Sequence, residues 1–376
     1  MVAVAHGAPA AFWQEGARMA ETRVYIGGYA QANEVGLRVY RLNMASGALT
    51  CVHELAGVVN PSFFALSADG RHLYAVNEVA EFQGRREGGV SAFALDPATG
   101  APALLNQQSS GGAGPCYVSL ERTGRYALVA NYGSGSVAML PIRPDGGLLP
   151  ASDVVQHEGR SVDPRRQAGP HAHAIVVDPG NAYAHAPDLG LDKVLCYRLD
   201  LAAGRLVPGD PPAAPVAAGA GPRHLAFHPH GRFAYVITEM GNTVGMFAYD
   251  AASGRLTARQ TVATLPAGFT GTSYGADLHF SPDGRFLYGS NRGHDSLAVF
   301  AVRQATGELE LLATPSCGGA FPRNFALDPS GAFLLCANQN SDNVVVFRRD
   351  ARTGGLTPAC DPIEFRRPVC VRAVVA

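Results

Sequence analysis

The sequence predicts an all-β fold, a seven-bladed β-propeller of four-stranded antiparallel blades, from three observations. A hairpin motif recurs six times and a strand-and-turn motif seven times along the 376 residues. The two alternate at an interval of about 50 residues, the length of one propeller blade. The composition agrees: 47% hydrophobic residues, 16% charged, 44 Gly and 26 Pro describe a large core cut by many turns.

The hairpin motif reads Pro, apolar run, Gly-containing turn, aromatic run, Asn. It is seen in NPSFFALSADGRHLYAVNE, GPCYVSLERTGRYALVANY, GPRHLAFHPHGRFAYVITE, GADLHFSPDGRFLYGSNR and FPRNFALDPSGAFLLCANQ, and in HAHAIVVDPGNAYAHAPDL with one shift. Short runs rich in Val, Phe, Tyr and Ile, punctuated by Gly, are strands joined by tight turns. The second motif is a strand followed by a Gly turn, as in NTVGMFAYDAASGRL and DSLAVFAVRQATGEL. Seven of these against six hairpins leave one unit split. The missing strand is the C-terminal PVCVRAVVA, expected to pair with RVYIGGYA near residue 25 and to close the ring. A closed ring leaves no blade with an uncovered face or a free edge. The propeller is expected to span 22–376. Residues 1–21 read as a disordered tail or an over-called start, with Met19 as the real beginning.

A hairpin brings its outer ends together, so residues beside the leading Pro and at the end of the second strand are expected around one mouth of the channel. The first set is Ser62, Cys116, His173, Arg223, Ala276, Arg323 and Val369. The second is Asn77, Asn131, Asp188, Thr238, Asn291 and Asn338, followed by Glu78, Tyr132, Leu189, Glu239, Arg292 and Gln339. The Asn-rich positions recur in almost every unit, as short polar side chains that satisfy backbone at strand ends do. The charged residues are not periodic. His173, Arg223, Glu239, Arg292 and Arg323 gather in consecutive units, and structural repetition does not require that asymmetry.

These residue types suit chemistry on a small anionic ester or acid. Arginines grip carboxylate or phosphate through forked hydrogen bonds and stabilise a developing oxyanion. His173 and Glu239 are the available proton carriers. The residue types therefore single out His173, Arg223, Glu239, Arg292 and Arg323 together as the candidate site. Candidate substrate contacts are His171, Arg323, Asn131, Asp188, Asn291 and Asn338. His171 and His173 are two apart, which on a strand puts them on one face. His185 is expected a strand away, and His224 and His228 to finish hydrogen bonds or face a neighbouring blade.

Several classes are excluded. Thirty Lys plus Arg against 31 Asp plus Glu, with no long basic run, argue against nucleic acid. No apolar run reaches the roughly 18 residues of a membrane helix. Seven cysteines, odd in number and without a CxxC pair, give neither a disulfide framework nor a zinc site. They read as buried small residues in a reducing, cytoplasmic compartment. No metal or cofactor is expected. GGAGP at 111–115 is a turn that opens no helix, and YGSGSV at 132–137 is a blade turn with no GxSxG.

In order along the chain, GPHAHAIVVDP, PDLGLDKVLCYRLD, GPRHLAFHPHGRFAYVITE and SPDGRFLYGSNRGHDSLAVF give a sequence that resembles the seven-bladed propeller lactonase family over about residues 22 to 376. That family includes bacterial 6-phosphogluconolactonase and fungal carboxymuconate cyclase. The resemblance implies a metal-independent lactonase or cycloisomerase, with His173, Arg223, Glu239 and Arg292 at the family's proposed catalytic positions. Hydrolysis of 6-phosphogluconolactone is the first expectation and muconate-type cycloisomerisation the second; a binding scaffold without chemistry is the alternative of another class. The chain departs from its own repeat where Ala172 replaces the leading Pro and Ala276 a polar residue.

Overall fold

Each hairpin of the repeat supplies the two inner strands of a sheet, and each strand-and-turn supplies the outer pair. The computed structural model describes residues 21–375, and over that range the strands form seven antiparallel sheets. The expectation for the first 21 residues falls, apart from Glu21, outside the described residues. In blade 5 the order is Pro222–Phe227, Phe233–Thr238, Thr243–Asp250 and Arg255–Ala263, each paired with the next. Blade 7 carries one addition, Ile363–Glu364, which extends the edge after Leu356–Pro358 stops.

The innermost strands are Pro368–Val375 in blade 1, Phe64–Leu66 in blade 2, Pro115–Leu120 in blade 3 and Val176–Val177 in blade 4. Pro222–Phe227, Tyr274–Phe280 and Pro322–Leu327 follow in blades 5 to 7. The innermost strands of blades 2 and 3, 3 and 4, 5 and 6, 6 and 7, and 7 and 1 touch one another around the axis, and the innermost strand of blade 5 packs on Tyr183–Asp188 of blade 4. The ring closes as the sequence predicts: Pro368–Val375 pairs antiparallel with Thr22–Gly28.

The core lies between blades, because each sheet buries both faces against its neighbours. Tyr235, Ile237 and Met246 of blade 5 pack on Leu278, Leu287 and Phe300 of blade 6. Across the closure, Val24 and Ile26 pack on Phe333, Leu335 and Val346 in the same manner. The periodic aromatic and the periodic Gly turn prove to be two halves of one contact. The hydroxyls of Tyr25, Tyr74, Tyr235 and Tyr288 donate to Gly100, Gly146, Gly307 and Gly354 in the turn of the following blade. At Gly307 φ is +77° and an added Cβ would come within 2.5 Å of Phe233, so both conformation and space select glycine.

Two expectations change. Cys51 is exposed and Cys360 half-buried, so only five of the seven free cysteines are buried. His171 and His173 precede the regular strand of blade 4. The reason is Pro187 on the paired strand. Its carbonyl accepts from His173 N at 3.0 Å, but its nitrogen has no hydrogen to return, so the ladder is interrupted.

Candidate active site

The residue after the leading Pro reaches the channel through a repeated irregularity. Pairing registers shift between Pro115 and Tyr117, between Pro222 and His224, and between Pro322 and Asn324. Cys116, Arg223 and Arg323 are thus the extra residues of β-bulges, which re-aim a side chain out of the pleat. The residues at or just past the ends of the second strands form a second tier: Tyr29, Glu78, Tyr132, Leu189, Glu239, Arg292 and Gln339.

Glu239 is the hub of blades 4 to 6. Its Oε1 accepts from Arg166 at 2.6 Å, and its Oε2 pairs with Arg292 at 2.7 Å and Arg223 at 3.1 Å. Burial alone would raise its pKa, but Arg292, Arg223 and Arg166 outweigh that and hold the carboxyl well below its ordinary range. Arg292 Nη2 also donates to the Gly275 carbonyl at 3.0 Å, and its guanidinium sits 5.2 Å from the Phe321 ring centroid. Arg223 Nη1 donates to Ala276 O at 2.5 Å and to His224 Nε2 at 3.2 Å. Burial, then Arg292 and Arg323, push Arg223 down to about 9, which leaves it charged at neutral pH.

His173 is 4% exposed beside Arg223, with Nδ1 at 3.7 Å from Cys116 Sγ and its ring edge-on to Tyr132. Burial first, then Arg223, His224 and Arg323, lower its pKa far below the usual imidazole value. The ring is therefore neutral. Its Nε2 has no hydrogen-bond partner among the described residues. His171 stacks on Tyr132 at 4.5 Å and its Nδ1 donates to the Tyr132 carbonyl at 2.9 Å. Both histidines thus meet the same tyrosine.

Arg323, half-buried, lies 5.7 Å from the Tyr29 ring centroid and has no hydrogen bond or ion pair among the described residues. Burial works against its charge, but Tyr29, Glu78 and Glu239 outweigh it and raise its pKa. It is a cation without an ion pair among the described residues, and Arg367, exposed, shares the same ring at 5.1 Å. One residue deeper, the channel closes. Phe63 stacks on Tyr117 at 4.2 Å, and His224 reaches both rings from across the axis at 5.8 and 5.2 Å. His224 donates from Nδ1 to Asp277 at 2.7 Å, which leaves Nε2 to accept from Arg223. Asp277 also accepts from His279 at 2.8 Å and from Asn324.

The structure thus gathers His173, Arg223, Glu239, Arg292, Arg323 and His171 at one mouth. It does not bring Asn131, Asp188, Asn291 or Asn338 into it, and these four are corrected as substrate contacts: all are fully buried. The Asn131, Asn291 and Asn338 amides donate to the carbonyls of Ser110, Thr264 and Cys317, each just after the preceding blade's fourth strand. Asp188 accepts from His157 at 2.6 Å and from the backbone of His171 at 2.8 Å, with Tyr197 donating to His157 at 2.9 Å. That chain resembles a proton relay but is sealed. Asp188 acts by fixing the segment that carries His171 and His173.

Sequence reasoning missed four residues. Arg166 lies in the connector 157–170, outside the repeat, where only the unusual length of EGRSVDPRRQAGP marks it. Tyr29 is the blade 1 copy of the ring position, hidden by the split unit. Glu78 stood at a ring position without being singled out. His224 faces Asp277 of the next blade as expected, yet also lines the floor; His228 donates to Gly284 of the next blade at 3.0 Å. The larger surface hollows, such as one of about 480 Å³ lined by Arg71, Arg122 and Arg143, contain none of these groups.

Comparison with known proteins meets this geometry. The family model described as "Lactonase, 7-bladed beta-propeller" matches residues 23–373, and the chain belongs to that family. It is 37% identical over 348 residues to a 6-phosphogluconolactonase of Bacillus subtilis, covering 93% of this chain and 97% of that protein. A 6-phosphogluconolactonase of Formosa agariphila is 33% identical, over 89% of this chain and 94% of its own. Among solved structures, a periplasmic gluconolactonase of Pseudomonas aeruginosa superposes with a TM-score of 0.89 at 39% identity, over 95% of this chain and 99% of that one.

Proposed function

We propose that this protein is a lactone hydrolase that opens 6-phosphogluconolactone to 6-phosphogluconate. The observation that carries the reading is the pairing of a buried neutral His173, without a hydrogen-bond partner at Nε2 among the described residues, with an uncommitted Arg323 in the same mouth. Family membership and the names of the relatives support the substrate class.

In this mechanism Arg323 holds the phosphate. His173 Nε2 takes a proton from water as the water oxygen attacks the lactone carbonyl carbon. Arg223 Nη2, without a partner among the described residues, receives the oxyanion. When the tetrahedral intermediate collapses, the ring C–O bond breaks and the departing oxygen regains the proton from His173. Glu239 is a positioning residue here, because both of its oxygens are taken by guanidinium groups and its basicity is suppressed.

The test is lactone opening by purified protein over the spontaneous rate, with carboxymuconate as a second arm. Acceleration with the phosphosugar lactone is expected, and His173→Asn should lower kcat about 10²- to 10⁴-fold with the fold intact. No acceleration sinks the reading; turnover of carboxymuconate alone replaces it by cycloisomerisation. A cytoplasmic location is part of the proposal. Seven free cysteines go with it, and no helix among the described residues is long and apolar enough to cross a membrane. The Pseudomonas neighbour is titled periplasmic, so cell fractionation decides this point.

A further inference from the structure

The mouth holds a second carboxylate whose surroundings are opposite to those of Glu239. Glu78, half-buried, has no ion pair among the described residues. Its oxygens accept instead from neutral hydroxyls, Tyr29 Oη at 3.1 Å to each oxygen and Ser62 Oγ. The backbone beneath it is fixed: Asn60 Nδ2 donates to the Glu78 carbonyl at 3.1 Å, and Asn60 Oδ1 accepts from Ala30 N at 3.2 Å. Tyr29 also carries Arg323 over its ring, so the unpaired cation and this carboxylate meet one phenol, the first at its face and the second at its hydroxyl.

A carboxylate offers about four lone-pair sites, and the protein's hydroxyls leave capacity unused. Charge-assisted O–H···O⁻ bonds are strong, whereas a second anion placed there would be repelled. A ligand matched to this pair carries an anionic group for Arg323 and hydroxyls for Glu78. We infer that Glu78 reads the hydroxyls of the substrate and sets the specificity of the mouth for polyhydroxylated anionic lactones over acidic lactones without hydroxyls. This inference rests on the lactonase reading and deepens it.

Titration calorimetry tests it without turnover, using 6-phosphogluconate and 6-phosphohexanoate, which share the phosphate, the carboxylate and the chain length and differ only in hydroxyls. Wild-type protein should prefer the hydroxylated ligand, and Glu78→Gln should shrink the ratio of the two Kd values about 10- to 100-fold with little change for the hexanoate. If Glu78→Gln does not fold, Glu78→Asp reads the same ratio through its shorter reach. Equal binding of both ligands by the wild type, or an unchanged ratio in the variant, overturns the inference. Failure of the lactonase reading shows separately, as an absence of lactone opening by the wild type.

Discussion

Glu239 and Glu78 occupy the same repeat position three blades apart, and their fates diverge. Glu239 is locked by Arg166, Arg223 and Arg292, so that side of the mouth is an internally neutralised, rigid wall. Glu78 is held by Tyr29 and Ser62 while Arg323 beside it goes unpaired, so that side keeps both signs of charge available. A buried charge whose partners are all protein groups does structural work; one left without a countercharge is open to a ligand. The comparison teaches that the same residue at the same ring position of a repeat does not fix a role, because the role depends on what the neighbouring blades donate.

The comparison breaks most visibly at its rigid side. Glu239→Gln leaves three guanidinium groups facing one another around a neutral amide, and breaking such a buried cluster costs about 3–5 kcal/mol. A large fall in Tm together with lost turnover is expected. A variant of unchanged Tm would show that the cluster is not the wall described here. Arg323→Met probes the open side. Because that charge makes no hydrogen bond or ion pair among the described residues and only longer-range contacts with Tyr29, Glu78 and Glu239, Tm should fall much less than in Glu239→Gln while KM for the phosphorylated lactone rises roughly 10- to 100-fold, as loss of a charged hydrogen bond implies. Equal stability losses in the two variants would erase the distinction between the sides.

The pH profile sharpens the picture further. The pKa of His173 is lowered by burial, so the neutral, proton-accepting ring dominates through the ordinary imidazole range. kcat/KM should stay flat as pH falls through about 6.5 and decline only below it. A half-activity point near 6.5 would mean a solvated histidine. Stability follows the same sign: the unfolded chain protonates His173 near 6.5 while the folded one does not, so Tm should drift down below that pH. Glu239, with its folded pKa depressed, adds stability above about 4.5 that is lost as pH falls toward its folded value. The smallest effect belongs to the scaffold. Tyr288→Phe removes the 2.9 Å bond to Gly354 and should cost about 1 kcal/mol in denaturant unfolding, with kcat untouched.

Most of the fold was legible in the chain because a propeller repeats one local instruction. Tyr288 and Gly354 are periodic in sequence since every blade interface needs the same phenol and the same turn. The site was legible where it broke that period: Arg223, Arg323 and Glu239 stood out against Cys116 and Ser62 at equivalent places. Asn131, Asn291 and Asn338 do satisfy backbone at the strand ends, as their recurrence suggests, and are not the substrate contacts they were also expected to be. They are periodic because they tie each blade to the one before it, and a periodic polar residue in a ring serves the ring.

By itself the sequence determined the number of blades, the strand that closes them and the mouth at which the charged residues emerge, since hydrophobic alternation, turn glycines and hairpin ends are local properties. Only the tertiary structure decided which cation meets which acid. Bulges at Arg223 and Arg323 turn those side chains out of the pleat, and the connector through Arg166 arrives from outside the repeat to complete the lock on Glu239. Pairing of charges depends on distances between groups far apart in the chain, and Coulomb interactions over a few ångströms are fixed when the ring has closed.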